Sequence, residues 1–404
     1  MTRCPTHGTL PSHLYVHVPF CVRKCRYCAF YSVEHPGDAL LERYLSCLAT
    51  ELRLVMGPQP PVHTLYLGGG TPSILGPDRI ARLLHSARSV VSLAPDCEVT
   101  LEVNPETIDR AGLAACRDAG VNRVSIGVQS FHDAQLQWLG RIHDAERAIE
   151  TVEDALAAGM RVSIDLIYGL PGQSGDEWAQ DLERAAALGV GHISAYELSY
   201  EPGTPLHAER PLPGLPQQAE RAKHESEREE LFFVTHKRLG ELGFVGYEVS
   251  SFARNVEQRS RHNLATWAHE PYIGVGPGAH SYLGSGPGKD AASRRPQRRW
   301  NLPDVESWLS ALDAGGIPPF GHEPLTPGQV LLERVMLGLR CLEGIDLEAC
   351  ERECGAAATR GLRRRASRLA DRGQILLEDS RIVPTLEGMA LADRLALELS
   401  ADED

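Results

Sequence analysis

The feature of the sequence that most constrains the fold is a repeated alternation of short apolar runs with helical stretches. Runs rich in β-branched residues, such as "HTLYLGG", "EVTLEVN" and "RVSIDLIYG", recur in the first half of the chain, with "LYVHVPF" in front of them. The stretches between them have helical patterns, and several end at glycine, a common helix terminator. This alternation predicts an α/β protein whose half-dozen parallel strands form a barrel or partial barrel.

The segments that follow these runs are rich in glycine, proline and polar residues. "GGGTP", "EVNPE", "GVQS", "DLIYGLPG" and "YELSYEPGTP" each come at the end of a predicted strand. Glycine and proline also punctuate ordinary loops between strands and helices. In parallel barrels, however, the chemistry is located at the carboxyl ends of the strands. Five such segments in succession therefore predict a functional site along this edge.

Charge and hydropathy argue against several classes of protein. The formal net charge of -13 argues against a broad phosphate-binding surface, so nucleic acid is not expected as a partner. No run of about 18 apolar residues occurs, and the N-terminal segment lacks the apolar core of a signal peptide. We therefore expect a cytoplasmic protein with at most peripheral contact with a membrane.

The pattern changes in the second half of the chain. Residues 207–230 are first polar and proline-bearing and then charged, which indicates a loop leading into a surface helix. From about residue 325, two helices, a short strand pair and a final helix are typical of a small α+β winged-helix-like domain. We therefore predict two domains, a partial barrel with an extension over residues 1–320 and a C-terminal domain over residues 321–404.

One helix of the predicted C-terminal domain is locally basic. Winged-helix domains often bind nucleic acid, which such a helix would favour. Acidic residues flank this helix, however, and the whole chain is acidic, so a structural or docking role is the preferred interpretation. The basic residues are Arg360, Arg363, Arg364, Arg365 and Arg368.

Three of the ten cysteines stand together in "CVRKCRYC", as Cys21, Cys25 and Cys28, whereas the others are scattered. A structural zinc site uses four protein ligands, and a thioredoxin-like Cys-x-x-Cys would leave Cys21 without a role. Three thiolates that each hold one iron of a [4Fe-4S] cluster leave the fourth iron open to a small chelating molecule. A structural zinc protein remains the alternative. Nearby donors and positive charges could tune a cluster; they are His17, Arg23, Lys24 and Arg26.

The cysteine spacing and the segments around it resemble the radical S-adenosylmethionine (SAM) superfamily. "YVHVPFC", "YLGGGTPS", "LEVNPET", "VSIGVQSF" and "GVGPGAHS" together resemble the branch that contains oxygen-independent coproporphyrinogen III dehydrogenase and its heme-chaperone relative. The resemblance extends from Tyr15 nearly to the end of the chain. It implies a partial (β/α)6 barrel of the radical SAM type, followed by the small C-terminal domain.

The resemblance also implies roles for individual residues. The cysteines matching Cys21, Cys25 and Cys28 bind the cluster, and SAM chelates its remaining iron. Glu102 matches the carboxylate that holds the ribose hydroxyls of SAM. The expected chemistry is reductive cleavage of SAM to methionine and a 5′-deoxyadenosyl radical. The other positions that match SAM contacts are Tyr15, Tyr27, Gly69, Gly70, Thr71, Gln129, Arg141 and Asp165.

Two features favour the heme-chaperone relative within this branch. The dehydrogenase has Gly-Cys directly after the third cluster cysteine, whereas this chain has Ala29 and Phe30. The relative carries a His-Asn-x-x-Tyr-Trp segment linked to heme; His262 matches its histidine, and Thr266 replaces its tyrosine. Because neutral imidazole is a normal ligand of heme iron, His262 is the predicted heme ligand, and His280 in "GVGPGAHSY" is a second candidate.

The preferred function is therefore a heme carrier that binds heme and delivers it to heme-accepting apoproteins, with the cluster and SAM acting as a switch or transfer element. SAM cleavage is expected, net coproporphyrinogen oxidation is not, and a homodimer is allowed for. The alternative is an enzyme, coproporphyrinogen III dehydrogenase, which would convert two propionate side chains to vinyl groups.

Overall fold

The computed structural model describes most of the chain. The predicted loop ahead of the surface helix falls partly on residues 210–216, which lie outside the described residues, and the helix itself runs over Gln217–Glu241. The described residues are 11–57, 60–209, 217–284 and 295–400.

The strands of the described residues comprise one large sheet and two small ones. They are β1 (His13–Val18), β2 (Phe20–Cys21), β3 (Val33–Glu34), β4 (Val62–Gly69), β5 (Leu93–Val103), β6 (Arg123–Gln129), β7 (Arg161–Tyr168), β8 (His192–Glu197), β9 (Val245–Gly246), β10 (Ser251–Ala253), β11 (Tyr272–Val275), β12 (His280–Leu283), β13 (Gln297–Asn301), β14 (Phe320–Pro324), β15 (Ile345–Asp346), β16 (Ile375–Leu377) and β17 (Arg381–Pro384).

The helices lie mainly between the strands, and several begin at a capping side chain. Asp109 and Asp144 each accept a hydrogen bond from the first turn of their helix, which satisfies a backbone donor that has no partner within the helix. The helices are α1 (Asp38–Val55), α2 (Gly76–Val90), α3 (Arg110–Ala119), α4 (Asp133–Leu139), α5 (Ala145–Ala157), α6 (Gly175–Ala187), α7 (Pro205–Ala208), α8 (Gln217–Glu241), α9 (Arg261–Trp267), α10 (Val305–Asp313), α11 (Pro327–Gly338), α12 (Leu347–Cys354), α13 (Ala356–Ala370), α14 (Leu386–Ala390) and α15 (Ala392–Ser400).

The large sheet has twelve strands in the order β14-β13-β12-β11-β1-β4-β5-β6-β7-β8-β10-β9. Its central strands, β1 and β4 to β8, are six consecutive parallel neighbours. Helices α1 to α6 lie between them in the sequence. The predicted α/β class and partial (β/α)6 arrangement are confirmed. The parallel order brings the carboxyl ends of all six strands to one edge.

The two faces of the parallel strands differ in polarity. Successive side chains of a strand point to opposite faces. On β6, Val124 and Ile126 are fully buried in the main hydrophobic core with residues of the flanking helices. Arg123 and Ser125 alternate with them and are also buried. The outer face of the sheet therefore forms the apolar core, and the inner face carries polar side chains that can serve a site.

Strands β11 to β14 extend the sheet beyond β1. β11 is parallel to β1, whereas β12, β13 and β14 follow as an antiparallel meander. The buried carboxylate of Glu51 on α1 accepts hydrogen bonds from Gly276 N at 2.8 Å, Asn301 Nδ2 at 2.6 Å and Trp308 Nε1 at 3.0 Å. This one carboxylate therefore joins α1, the meander and α10.

The C-terminal part has a separate apolar core. Helices α11 to α13 and α15 contribute to it, together with a three-stranded sheet in the order β15-β17-β16. The predicted strand pair with helices before and after it is present, but three helices precede the pair and two follow it, where the sequence predicted two and one. The sequence interpretation also missed β15, which has two residues. Strand β14 lies at the predicted domain boundary. No helix of the described residues is both long enough and apolar enough to cross a membrane.

Candidate functional site

The loop that carries the three cysteines is fixed to the segment between α4 and α5. Arg26 N donates to Leu139 O at 3.1 Å. The side chain of Arg23 donates to Gly140 O at 2.9 Å and to Arg141 O at 2.8 Å. Two of the basic residues noted in the sequence therefore hold the loop in place. They position the cysteines at the carboxyl edge of the parallel strands.

The three thiols lie in one partly buried environment. Cys21 is buried, while Cys25 and Cys28 are half-buried, and Cys28 interacts electrostatically with both of the others. Burial raises the pKa of the Cys28 thiol to about 11. Since iron binds thiolates, loading these cysteines must release protons.

The neighbouring side chains are hydrogen-bond donors to sulfur. Arg141 Nη1 donates to Cys25 Sγ at 3.3 Å, and Thr71 Oγ1 donates to Cys21 Sγ at 3.6 Å. Arg141 Nε is buried without a hydrogen-bond partner among the described residues, so this guanidinium has a donor left for a bound group. Donors of this kind stabilise the negative charge of a thiolate-bound cluster.

The three-cysteine loop fits the requirement of a [4Fe-4S] cluster. Within the described ranges, no three His, Cys, Asp or Glu side chains are grouped as ligands of a metal ion. A cubane cluster has a different requirement, because each thiolate holds its own iron. Cys21, Cys25 and Cys28 offer one thiol each, and Arg141 offers the compensating charge.

The glycines at the end of β4 allow the backbone to approach the cysteine loop closely. Gly70 N donates to Val18 O at 2.9 Å, and Thr71 N donates to Phe20 O at 2.7 Å. A Cβ on Gly70 would lie 2.6 Å from Phe20 O, which is a backbone atom and cannot swing aside. A glycine is therefore required at this position, and the β4 end lies directly against the segment leading into Cys21.

Glu102 lies beside the segment Gly69, Gly70 and Thr71, which we call the glycine loop. Its carboxylate accepts hydrogen bonds from Tyr66 Oη at 2.8 Å and from Gly69 N at 3.1 Å. Burial, followed by the nearby charge of Asp165, raises the pKa of Glu102 to about 7. Tyr15 stacks on Tyr66 with ring centroids 6.2 Å apart. The structure thus brings together Tyr15, Glu102 and the glycine loop.

A second group of predicted residues surrounds Arg141. Arg141 Nη2 donates to Gly127 O at 2.8 Å, and the Arg141 side chain also interacts with Tyr27. Gln129 lies at an irregular point of β6 with a φ of 69°, and its side chain lies against Gly127. Tyr27, Gln129 and Arg141 therefore converge beside Cys25.

Asp165 occupies the inner face of β7. It accepts hydrogen bonds from Ser125 Oγ at 3.1 Å, and burial raises its pKa. Asp165 also acts electrostatically on Glu102. The inner faces of β5, β6 and β7 therefore share one polar region that leads to the glycine loop.

His262 lies towards the opposite end of the strands. Its Nδ1 is 2.7 Å from the hydroxyl of Thr64, near the start of β4, and its ring stacks on Tyr66 at 4.9 Å. Thr64 lies five positions before Gly69 on β4, which is about 16 Å along the strand. The His262 side chain is buried, and burial lowers its pKa to about 3. Its role as heme ligand stays a prediction.

Thr266, which replaces the expected tyrosine, is used inside its own helix. Its hydroxyl donates to His262 O at 3.1 Å. His280, the second candidate, is exposed on β12 and stacks on Trp300 with ring centroids 6.0 Å apart. The two candidate histidines therefore differ sharply in accessibility.

The sequence interpretation missed Tyr66 and Ser125, which hold the carboxylates of the site. Strand alternation could have found both. Tyr66 precedes Gly68 by two positions, and Ser125 follows Arg123 by two, so each shares the inner face of its strand.

Comparison with known proteins defines the class. Residues 15–185 match the Radical SAM superfamily, and residues 325–391 match the HemN C-terminal domain. The fold and the three-cysteine loop are those of a radical SAM protein. The solved structure of coproporphyrinogen III oxidase (HemN) from Escherichia coli has the same fold, with a TM-score of 0.78 and 24% identity over 99% of this chain and 91% of that chain.

The chain belongs to the HemW family of radical SAM proteins. It is 37% identical to the heme chaperone HemW of Mycobacterium tuberculosis over 95% of this chain and 93% of that protein. It is 39% identical to heme chaperone HemW of Escherichia coli over 67% of this chain and 70% of that protein. It is 35% identical to the mitochondrial radical S-adenosyl methionine domain-containing protein 1 of Bos taurus over 98% of this chain and 88% of that protein.

Proposed function

We propose that this protein is a heme chaperone, which binds heme, a [4Fe-4S] cluster and SAM and transfers the heme to acceptor proteins. The observation that carries the proposal is the 37% identity along 95% of the chain to a relative named heme chaperone HemW. The placement of the three cysteines, the glycine loop and Glu102 at one edge of the sheet supports the cofactor part of the proposal.

Each residue of the proposed cofactor site has its own role in binding the cluster or SAM. Cys21, Cys25 and Cys28 hold three irons, and the cluster with SAM supplies one-electron chemistry when bound. Glu102 holds the ribose hydroxyls, and the backbone at the end of β4 receives the rest of SAM without a side chain in the way. The remaining proposed SAM contacts are Tyr15, Tyr27, Gly69, Gly70, Thr71, Gln129, Arg141 and Asp165.

The two residues after the third cluster cysteine distinguish this chain from the dehydrogenase. Ala29 and Phe30 stand where the dehydrogenase has Gly-Cys, and Phe30 is 67% exposed, at the surface beside the cluster loop. The likeness to HemN is one of fold. We therefore propose that heme is cargo and that coproporphyrinogen is not oxidised.

The C-terminal part is proposed to dock partners. We propose the division into residues 1–320 and 321–404, and the separate core formed by α11 to α13 and α15 supports it. Heme-accepting proteins are the proposed partners. A homodimer and peripheral membrane contact are further proposals, which light scattering and vesicle flotation would test.

The deciding experiment follows heme and porphyrin in the same anaerobic preparation. Purified protein with a reconstituted cluster is titrated with heme, and apomyoglobin is then added as a heme acceptor. The proposal predicts a stoichiometric Soret band that passes to apomyoglobin. In parallel, protein, SAM, reductant and coproporphyrinogen III are incubated together. Catalytic formation of protoporphyrinogen would overturn the proposal in favour of the dehydrogenase.

A further inference from the structure

The open face of the β11 to β14 meander presents an accessible imidazole. His280 on β12 pairs across the sheet with Trp300 on β13, and Trp300 pairs with Gly321 on β14. Residues paired in this way share one face of the sheet. His280 is exposed at the surface of this sheet. A neutral imidazole in this state can bind a metal.

The direction of this face follows from the next residue along β13. Asn301 points to the opposite face, where its Nδ2 donates to Glu51 of α1 at 2.6 Å. The helices α1 and α10 therefore cover the face of Asn301. His280 and Trp300 lie on the other face, which continues the inner face of the barrel at Tyr15, since Tyr15 pairs with Gly274 in β11.

Trp300 holds the imidazole in a fixed orientation. The two rings are nearly parallel, at 19° and a centroid distance of 6.0 Å. Trp300 can lie flat because its neighbour is a glycine: a Cβ on Gly321 would come within 2.4 Å of the indole ring. A ring fixed in this way loses little rotational freedom when it binds a ligand.

This face adjoins the cofactor site. His17 is close enough to His280 for the two to interact electrostatically, and the His17 ring lies against the glycine loop, 2.7 Å from the position of a Cβ on Gly69. Burial, and then the charge of Arg298, lower the pKa of His280, which favours the neutral, iron-binding form. Cargo held at His280 would therefore lie beside the proposed SAM site.

We propose that His280, rather than His262, is the axial ligand of the heme iron, with Trp300 as its positioning residue. This inference rests on the proposed function. Heme is a flat molecule with an iron that accepts imidazole and a large apolar surface, and an exposed imidazole beside an indole matches that chemistry. The His262 side chain, by contrast, is buried and stacks on Tyr66.

The test is a heme titration of the full-length, cluster-loaded protein, followed by Soret absorbance. His280→Ala is expected to lose the imidazole-bound spectrum and to weaken heme binding at least about tenfold. His262→Ala is expected to keep that spectrum. His322→Ala is the matched control, because His322 is exposed on the same sheet and pairs with Arg299 on the opposite face.

Two further measurements separate a ligand from a structural residue. Free imidazole should restore the spectrum of His280→Gly, which a structural defect would not allow, and the cluster absorbance of each variant should remain. An unchanged spectrum in His280→Ala would overturn the assignment while leaving heme carriage in place. A wild-type protein that binds no heme would overturn the proposed function and, with it, this inference.

Discussion

Arg141 Nη1 donates a hydrogen bond to Cys25 Sγ at 3.3 Å, although the two residues are 116 positions apart in the chain. The guanidinium is held in place by Gly127 O at 2.8 Å. A fixed positive charge beside a cluster ligand stabilises the reduced, more negative state of the cluster. The segment between α4 and α5 therefore places a positive charge beside the cysteine loop near the start of the chain.

Replacing Arg141 with glutamine is expected to lower the reduction potential of the cluster. A charge-assisted hydrogen bond contributes about 1.5 kcal/mol, which corresponds to about 60 mV for a one-electron couple. A redox titration followed by electron paramagnetic resonance would measure the shift. Arg110→Gln is the control, since the Arg110 side chain is 74% exposed on α3. An identical potential in both variants would contradict the role given to Arg141.

Replacing Cys25 with alanine is expected to abolish the cluster. Broad absorption at about 400 nm, from thiolate-to-iron charge transfer, should disappear together with the bound iron and sulfide. Cys116→Ala is the matched control, because Cys116 is a buried free cysteine in the apolar core. If the Cys25 variant kept the absorption and the iron, the ligand assignment would be wrong.

Replacing Gly70 with alanine is expected to displace the glycine loop. The new Cβ would overlap the backbone of Phe20, and overpacking of this kind costs about 1–3 kcal/mol. SAM binding, measured by calorimetry, should weaken along with thermal stability. Gly175→Ala should be close to neutral, because a Cβ there meets nothing within 4 Å. Equal behaviour of the two variants would show that close approach at Gly70 is unimportant.

The alternation of apolar runs was sufficient to predict the parallel strands, because each strand buries one face against helices. The cysteine spacing predicted a cluster loop for a similarly local reason. The role of Arg23 could not be predicted, since its acceptors, Gly140 O and Arg141 O, are more than a hundred positions away. Long-range contacts of this kind depend on the tertiary fold.

The two candidate heme ligands illustrate the same limit. The "RHNLATW" segment drew attention to His262 because of its neighbours in sequence. Its burial follows from Thr64 and Tyr66, which belong to a strand about 200 positions earlier. The exposure of His280 depends on which face of β12 the helices cover. Sequence alone could list both histidines and could not rank their accessibility.

Replacing Glu51 with alanine is expected to destabilise the protein strongly. Three buried donors, from Gly276, Asn301 and Trp308, would lose their acceptor, at a cost of about 1–3 kcal/mol each. We expect the thermal midpoint to fall by roughly 5–10 °C. Glu42→Ala serves as the comparison, because Glu42 forms exposed ion pairs worth about 1 kcal/mol or less. A small effect at Glu51 would show that water replaces the carboxylate.

The buried carboxyl of Glu102 gives a pH dependence with a definite sign. Its pKa in the folded protein is about 7, raised from an ordinary value of 4.5 mainly by burial. The folded state therefore favours the protonated form, and this contribution is complete below pH 4.5. It is lost as the pH rises through about 7, where the folded protein must hold a buried negative charge.

Glu102→Gln removes this contribution, because an amide does not ionise in this range. Thermal midpoints of the SAM-free protein, measured from about pH 5 to about pH 8, should fall more steeply for the wild type than for the variant. The difference corresponds to about 3 kcal/mol at most. Glu106→Gln, at an exposed residue just beyond the end of β5, should follow the wild type. Parallel curves for wild type and Glu102→Gln would mean that Glu102 is already ionised at pH 5, and that Tyr66 and Gly69 compensate its burial fully.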